Sequence, residues 1–503
     1  MTRALATASA SALDAAGAAD ARPGSIALLL EDAARRAPDW PAIVGPDGRV
    51  LSTVAELADQ AARLATGLAE GGLKPGGKVG ILVRDPNKAL LIVAAIIWAG
   101  GVAVAPPRSR GLRAAVAALA DLGPELIVAD RMLWAAAFAY GRLRRGLVRA
   151  DQLQQRAPGA PALRQGGDAA LVSWTTGTTG TPKPVIRSHA VLAAQHRALA
   201  TLRPLPPGTV DLVGLPTLVL HNLAMGVGSV FAPPRASGAE LRRIVEGAGV
   251  SAAAGFPALF ERLVGGASSH QLAGLASIHV GGAPVRRELV ERLQAIAPQA
   301  RISVVYGMTE AEPISAIAAS EFVTLMRARA PGVGIPVGRP LPGIEVDLEP
   351  LAGRDVGRIR LRGARVAVDP GAGETGWLDT GDAGRVDGEG RIWLLGRAAN
   401  AAGALYPAEI EEPAAKLPGV AGAALVSIES DGGPVTVLAV EPAASGSSRE
   451  ALAAVRQMAR DGHWAVDDVV FVQRIPRDVR SGAKVDYGRL AGVVRGARRR
   501  RRI

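Results

Sequence analysis

Between positions 174 and 189 the chain reads WTTGTTGTPKPVIRSH. Thr175, Thr176, Gly177, Thr178, Thr179, Gly180 and Thr181 offer hydroxyls and unencumbered backbone amides, and Lys183 closes the run with a cation. Closely spaced glycines let N–H groups converge on one anion, hydroxyls add donors, and the ammonium adds charge. Phosphate is the natural guest. The spacing is G-x-x-G-x-x-K rather than the G-x-x-x-x-G-K-[ST] of the P-loop. Taken alone, a Gly/Thr-rich surface linker would read much the same.

Elements able to hold such a loop stand on either side of it. AALVSW (169–174) reads as a strand leading in, and a helix is expected to begin near His189. Upstream, STVAELADQAARLATGLAE carries a capping box, Thr53 to Glu56, and apolar positions at helical spacing. KVGILV (78–83) and ELIVAD (125–130) then read as buried strands between helices, and the same rhythm returns at VDLVGLP (210–216) and ISVVYG (302–307). Strand and helix in alternation argue for mostly parallel sheets covered by helices. From about Gly338, short strand-like runs between Gly-rich turns suggest a β-rich subdomain. A compact α/β stretch follows Gly396.

Composition narrows the classes. The 503 residues are 49% apolar and 21% charged, and none is cysteine, which excludes disulfides and Cys-ligated metals. Of the +12 net charge, six arginines (Arg495 and Arg498 to Arg502) supply half. A like-charge block of this kind is expected to be a solvated, disordered tail, so nucleic acid is not the expected partner. The uncharged run Ala89 to Pro107 is split by Gly100–Gly101. It reads as a buried helix to about Ala99, a turn and a short strand, with no membrane span.

Further motifs follow the loop in order: GGAP (281–284), VVYGMTEAEP (304–313), WLDTGDAGRVDGEGRIWLLGR (377–397), YPAEIEE (406–412) and IPRDVRSGAKV (475–485). Together with the loop, this set resembles the adenylate-forming (AMP-binding) superfamily of acyl-CoA synthetases, peptide-synthetase adenylation domains and luciferases. The resemblance implies a large N-terminal body (23–396) and a small mobile α+β C-terminal lid (397–494), flanked by a disordered N-terminus (1–22) and the basic tail (495–503). It implies a cytoplasmic ligase that turns ATP and a small-molecule carboxylic acid, fatty or other, into acyl-AMP with Mg²⁺, then passes the acyl group to coenzyme A. Oligomeric state is left open.

The same resemblance distributes roles. Lys183 and the Thr175–Thr181 run would surround the outer phosphates. Gly281, Gly282, Ala283 and Pro284 would wall the adenine and acyl pockets. Tyr306 would lie against adenine, with Gly307 and Met308 beside it. Thr309 would reach a phosphate oxygen, and Glu310 would hold Mg²⁺ as a hard oxygen ligand. Asp382 and Arg397 would bind the ribose. Lys484 would bridge the carboxylate and the α-phosphate as charge builds there. By composition alone Tyr306 could be a core aromatic and Lys484 a solvated lysine. His221 lies where the family lines its acyl pocket, and a buried structural histidine fits equally.

Two departures stand out. The hinge position is Ala399, within an AANAAGAL segment shorter than the family's usual one. The lysine lies in Ser481-Gly482-Ala483-Lys484, a register similar to the olefin β-lactone synthetases. Those relatives adenylate a β-hydroxy acid whose own hydroxyl then closes a four-membered ring and expels AMP, with no thiol acceptor.

Overall fold

The structure, a computed structural model, describes residues 24–107, 111–139, 143–144, 146–153, 155–175, 183–215, 217–268, 272–330, 332–351, 355–367, 376–403, 405–430, 433–443, 448–477 and 484–502. The body is built on two sheets. In the smaller, Leu147–Arg149, Leu126–Ala129, Lys78–Leu82, Val102–Val104 and Ala169–Thr175 run parallel, and Lys183–Ser188 closes the edge antiparallel. In the larger, thirteen-stranded sheet a parallel run includes Val210–Val213, Ala252–Gly255, Ser277–Gly281 and Arg301–Met308. Most residues of these strands are buried and apolar, as expected of parallel strands under helices, with Asp211 and His279 among the buried exceptions.

Local chemistry fixes the covering helices. Thr53 Oγ1 accepts from Glu56 N at 3.2 Å, and Glu56 Oε2 accepts from Thr53 N at 2.9 Å, so the expected capping box starts the helix Val54–Glu70. Its Leu57, Leu64 and Leu68 are buried, each worth roughly 1.5–3 kcal/mol of apolar transfer. The uncharged run is the helix Pro86–Trp98, a turn at Gly100, and the strand Val102–Val104. Among the described residues no helix is long and apolar enough to cross a membrane.

The strands after Gly338 form the β-rich part of the body and continue the large sheet, Ile335–Pro340 pairing antiparallel with Ala311–Ala318. One expectation needs correction. The basic tail is not a free coil. Helix Tyr487–Arg502 runs through it, with Leu490 and Val494 buried in the C-terminal core and Arg498 Nε donating to Asp468 Oδ2 at 3.0 Å. Arginine is a good helix former, and this apolar stripe anchors one face. Residues 1–22 and Ile503 lie outside the described residues.

The C-terminal unit packs Val420–Ser430, Gly433–Pro442 and Asp468–Phe471 into one sheet with three helices, Pro407–Ala415, Ser448–Asp461 and Tyr487–Arg502. Its junction with the body is well filled. Ala398–Asn400 forms a single 3₁₀ turn, and Tyr406 is buried against Val356, Ala383 and Leu395. Arg329 of the body pairs with Glu412 of the unit's first helix, their side chains only 6% and 15% exposed.

Candidate active site

The candidate residues converge where the two sheets meet. Thr175 and Lys183 are paired at the tip of the hairpin formed by Ala169–Thr175 and Lys183–Ser188. Thr176, Gly177, Thr178, Thr179, Gly180 and Thr181, the heart of the proposed phosphate loop, lie outside the described residues. Ser188 Oγ accepts from Val191 N at 3.2 Å and starts the helix His189–Leu202, as expected, directly after the second hairpin strand.

On the large sheet, Met308 pairs with Ala311, so Thr309 and Glu310 are the two-residue tip of a hairpin. This tip faces Thr175. Burial pushes the Glu310 carboxyl upward, while Arg397, a hydrogen bond from Thr175 and the Lys484 ammonium each pull it back. Thr175, Arg397 and Lys484, from three distant parts of the sequence, thus all act on one carboxylate. Lys484, exposed and next to the short Arg477–Val485 bridge, is carried there by the C-terminal unit.

Glu310 Oε2 is buried with no hydrogen-bond partner. Among the described residues no cluster of three or more His, Cys, Asp or Glu is placed to hold a metal. A hard cation that keeps waters and takes its other ligands from phosphate oxygens needs only such a carboxylate. The orphaned oxygen fits Mg²⁺.

A second cluster lies beside the first. Tyr306 Oη donates to Asp382 Oδ2 at 2.7 Å, and Arg397 Nη1 donates to Asp382 Oδ1 at 3.1 Å and to the Thr380 carbonyl at 2.6 Å. Burial, then the Asp382 carboxylate, pushes the Tyr306 hydroxyl well above its ordinary range, so it stays a donor. Its ring packs with Ile314, Val337 and Ile392, with Met308 at the edge. Tyr306 is therefore a core aromatic that also braces Asp382. A carboxylate has about four lone-pair sites, so Asp382 keeps capacity for a pair of hydroxyls. Gly381, at φ +72°, is required here: a Cβ would stand 2.6 Å from Arg397 Nη2.

Gly281 is buried, Gly282 and Ala283 are half-buried, and Pro284 is exposed. Gly281, Gly282 and Gly307 line a small cavity, about 40 Å³, together with Leu215, Leu218 and Ala254. His221 is not among its lining residues; it is buried, Nδ1 to Nδ1 at 3.1 Å from His196. Burial pushes both imidazoles down, His196 to about 4, which keeps the pair neutral. Close by, Arg203 and Asp211 form a bidentate ion pair at 2.9 and 3.2 Å with side chains 1% and 0% exposed. Asn222 Nδ2 also donates to Asp211, at 2.9 Å.

The sequence reading passed over Arg187, Glu312 and the Arg203–Asp211 pair. Alternation offered a signal for the first: Val185 and Arg187 are buried while Ile186 between them is exposed. A charged residue on the inward parity of a strand is the informative exception.

Glu411 accepts from Leu425 N at 2.8 Å and Tyr487 Oη at 2.9 Å, and burial raises its carboxyl to about 7 against the pull of those bonds and Arg477. A raised folded-state value means stability fully present below about 4.5 and lost as pH rises through about 7. The difference in thermal midpoint between wild type and Glu411→Gln should therefore change between pH 5 and 8, the wild type losing ground as pH rises. A pH-independent difference would show that Glu411 does not titrate there.

With this geometry in view, comparison with known proteins places the chain. The family model for AMP-binding enzyme matches residues 30–368, and the chain belongs to that family. It is an adenylate-forming ligase with an acyl-CoA synthetase-like fold. It is 28% identical to an olefin beta-lactone synthetase of Stenotrophomonas maltophilia, over 93% of this chain and 98% of the relative. To a feruloyl-CoA synthase of an Amycolatopsis species it is also 28% identical, over 85% and 91%. Among solved structures, ATP-bound MatB from Rhodopseudomonas palustris superposes with a TM-score of 0.79 at 23% identity, covering 94% of this chain and 99% of that one.

Proposed function

We propose that the protein uses ATP to activate a small-molecule carboxylic acid as an acyl adenylate, releasing pyrophosphate. One observation carries this: Thr175 hydrogen-bonds Glu310, whose carboxyl also feels the Arg397 and Lys484 charges and whose Oε2 is buried and unpartnered. Lys183 and the 176–181 run would grip the outer phosphates, with Thr309 at the hairpin tip beside them. Glu310 would hold Mg²⁺, which supplies charge neutralisation to the phosphates when bound. Asp382, braced by Tyr306 and Arg397, would accept the ribose hydroxyls. Lys484 would place its ammonium between the attacking carboxylate and the α-phosphate, stabilising charge that is greatest in the transition state.

For the fate of the adenylate, ring closure by a hydroxyl on the acid itself is favoured. It needs no large rotation of the C-terminal unit, and that unit is held to the body by the buried Arg329–Glu412 pair and the Tyr406 contact. Similarity to olefin beta-lactone synthetases over nearly the whole chain supports the same outcome. Transfer to coenzyme A is the second reading, supported by similarity to feruloyl-CoA synthase.

Incubation with ATP, Mg²⁺ and a panel of plain, hydroxylated and aryl acids, with and without coenzyme A, separates these outcomes by mass spectrometry. A lactone formed without coenzyme A supports closure, and a thioester supports transfer. No adenylate from any acid would overturn the proposal.

A further inference from the structure

Glu411 has no part in the chemistry proposed above, yet its carboxylate joins three elements of the C-terminal unit. It stands on the helix Pro407–Ala415. Its Oε1 accepts from Leu425 N at 2.8 Å, on the strand Val420–Ser430, and from Tyr487 Oη at 2.9 Å. Neither bond serves the helix that Glu411 belongs to; both reach other elements. Tyr487 opens the helix Tyr487–Arg502 and follows Lys484 by three positions.

The chain beside Lys484 is tied down further. Arg477 and Val485 form the short antiparallel bridge, and Asp486 N donates to the Pro476 carbonyl at 2.9 Å. Ile475 N donates to Glu441 Oε2 at 3.0 Å, and Arg477 Nη2 stands 3.8 Å from the same oxygen. The Tyr487 hydroxyl joins this closed neck to the helix Pro407–Ala415. Glu412, the residue after Glu411, pairs with Arg329 of the body. Consecutive residues of one helix thus hold the body and, through Tyr487, the chain that carries the lysine. An ammonium on a flexible four-carbon stem is placed only as well as its backbone is.

We propose that Glu411 is a positioning residue for the adenylation step: by holding Tyr487 it sets the backbone from which Lys484 reaches the reacting centre. The proposal rests on the reading of Lys484 given above.

ATP–pyrophosphate exchange tests it, with kcat and KM measured separately. Tyr487→Phe removes only the hydroxyl and leaves the Leu425 N bond to Glu411 in place. In it and in Glu411→Leu, kcat should fall on the order of 10- to 100-fold while KM for ATP and acid stays within about twofold. Glu411→Gln keeps an accepting oxygen and should restore most of that rate. Glu411→Leu also leaves Leu425 N without its acceptor, so if that variant does not fold, Tyr487→Phe decides. Residues that act as a unit are non-additive, so in a Lys484→Ala background Tyr487→Phe should slow exchange by no more than about twofold further. A merely structural role would lower both backgrounds alike. Unchanged kcat in Tyr487→Phe, a Glu411→Gln variant as slow as a folded Glu411→Leu, or an equal loss in the Lys484→Ala background would each overturn the positioning role and leave Lys484 in place. Exchange retained in Lys484→Ala itself would overturn the underlying reading as well.

Discussion

Lys484→Ala should reduce acyl-adenylate formation, measured by ATP–pyrophosphate exchange, on the order of 10³-fold. A single preorganised donor aimed at developing charge is worth that much when water is excluded around it. Lys484 stands next to the Arg477–Val485 bridge, and its charge is felt at the Glu310 carboxyl. Its side chain is exposed, so the variant should fold and melt like wild type. Exchange within about tenfold of wild type would remove Lys484 from the first half-reaction.

The largest effect on stability is expected at Asp211. Replacing it with alanine strands the Arg203 guanidinium in a site with 1% exposure and leaves Asn222 Nδ2 with one acceptor fewer. Breaking a buried pair from one side costs about 3–5 kcal/mol. The thermal midpoint of Asp211→Ala should fall by several degrees, whereas Arg203→Met combined with Asp211→Leu should recover most of the loss. Attraction minus desolvation is small for such pairs, and it is the orphaned charge that is costly. A single variant as stable as wild type would mean that water or a rearranged neighbour already compensates Arg203.

Much of this arrangement was legible in the residues. The Thr53–Glu56 box and the strand–helix rhythm have local causes, namely capping and periodicity, and the structure contains them. Other features depend on pairs far apart in sequence. Arg329 reads as an ordinary surface arginine until the fold sets it against Glu412, and Tyr306 gives no sign that its hydroxyl is committed to Asp382. The basic tail misled for a related reason. Its charge count suggested solvation, but Leu490 and Val494 at helical spacing, with Asp468 waiting on a neighbouring strand, decided its conformation. For His221 the residues left a pocket lining and a buried structural histidine equally open, and the structure pairs it with His196.

Thr175 and Glu310 touch although their strands belong to different sheets. The proposed catalytic centre is thus a suture, and its ångström-scale alignment is inherited from how two separately hydrogen-bonded slabs settle against each other. Misplacement by about an ångström can cost on the order of 100-fold in rate. Sequence changes buried far from any reacting atom, if they tilt one slab, would therefore slow turnover while every chemically active side chain stays intact.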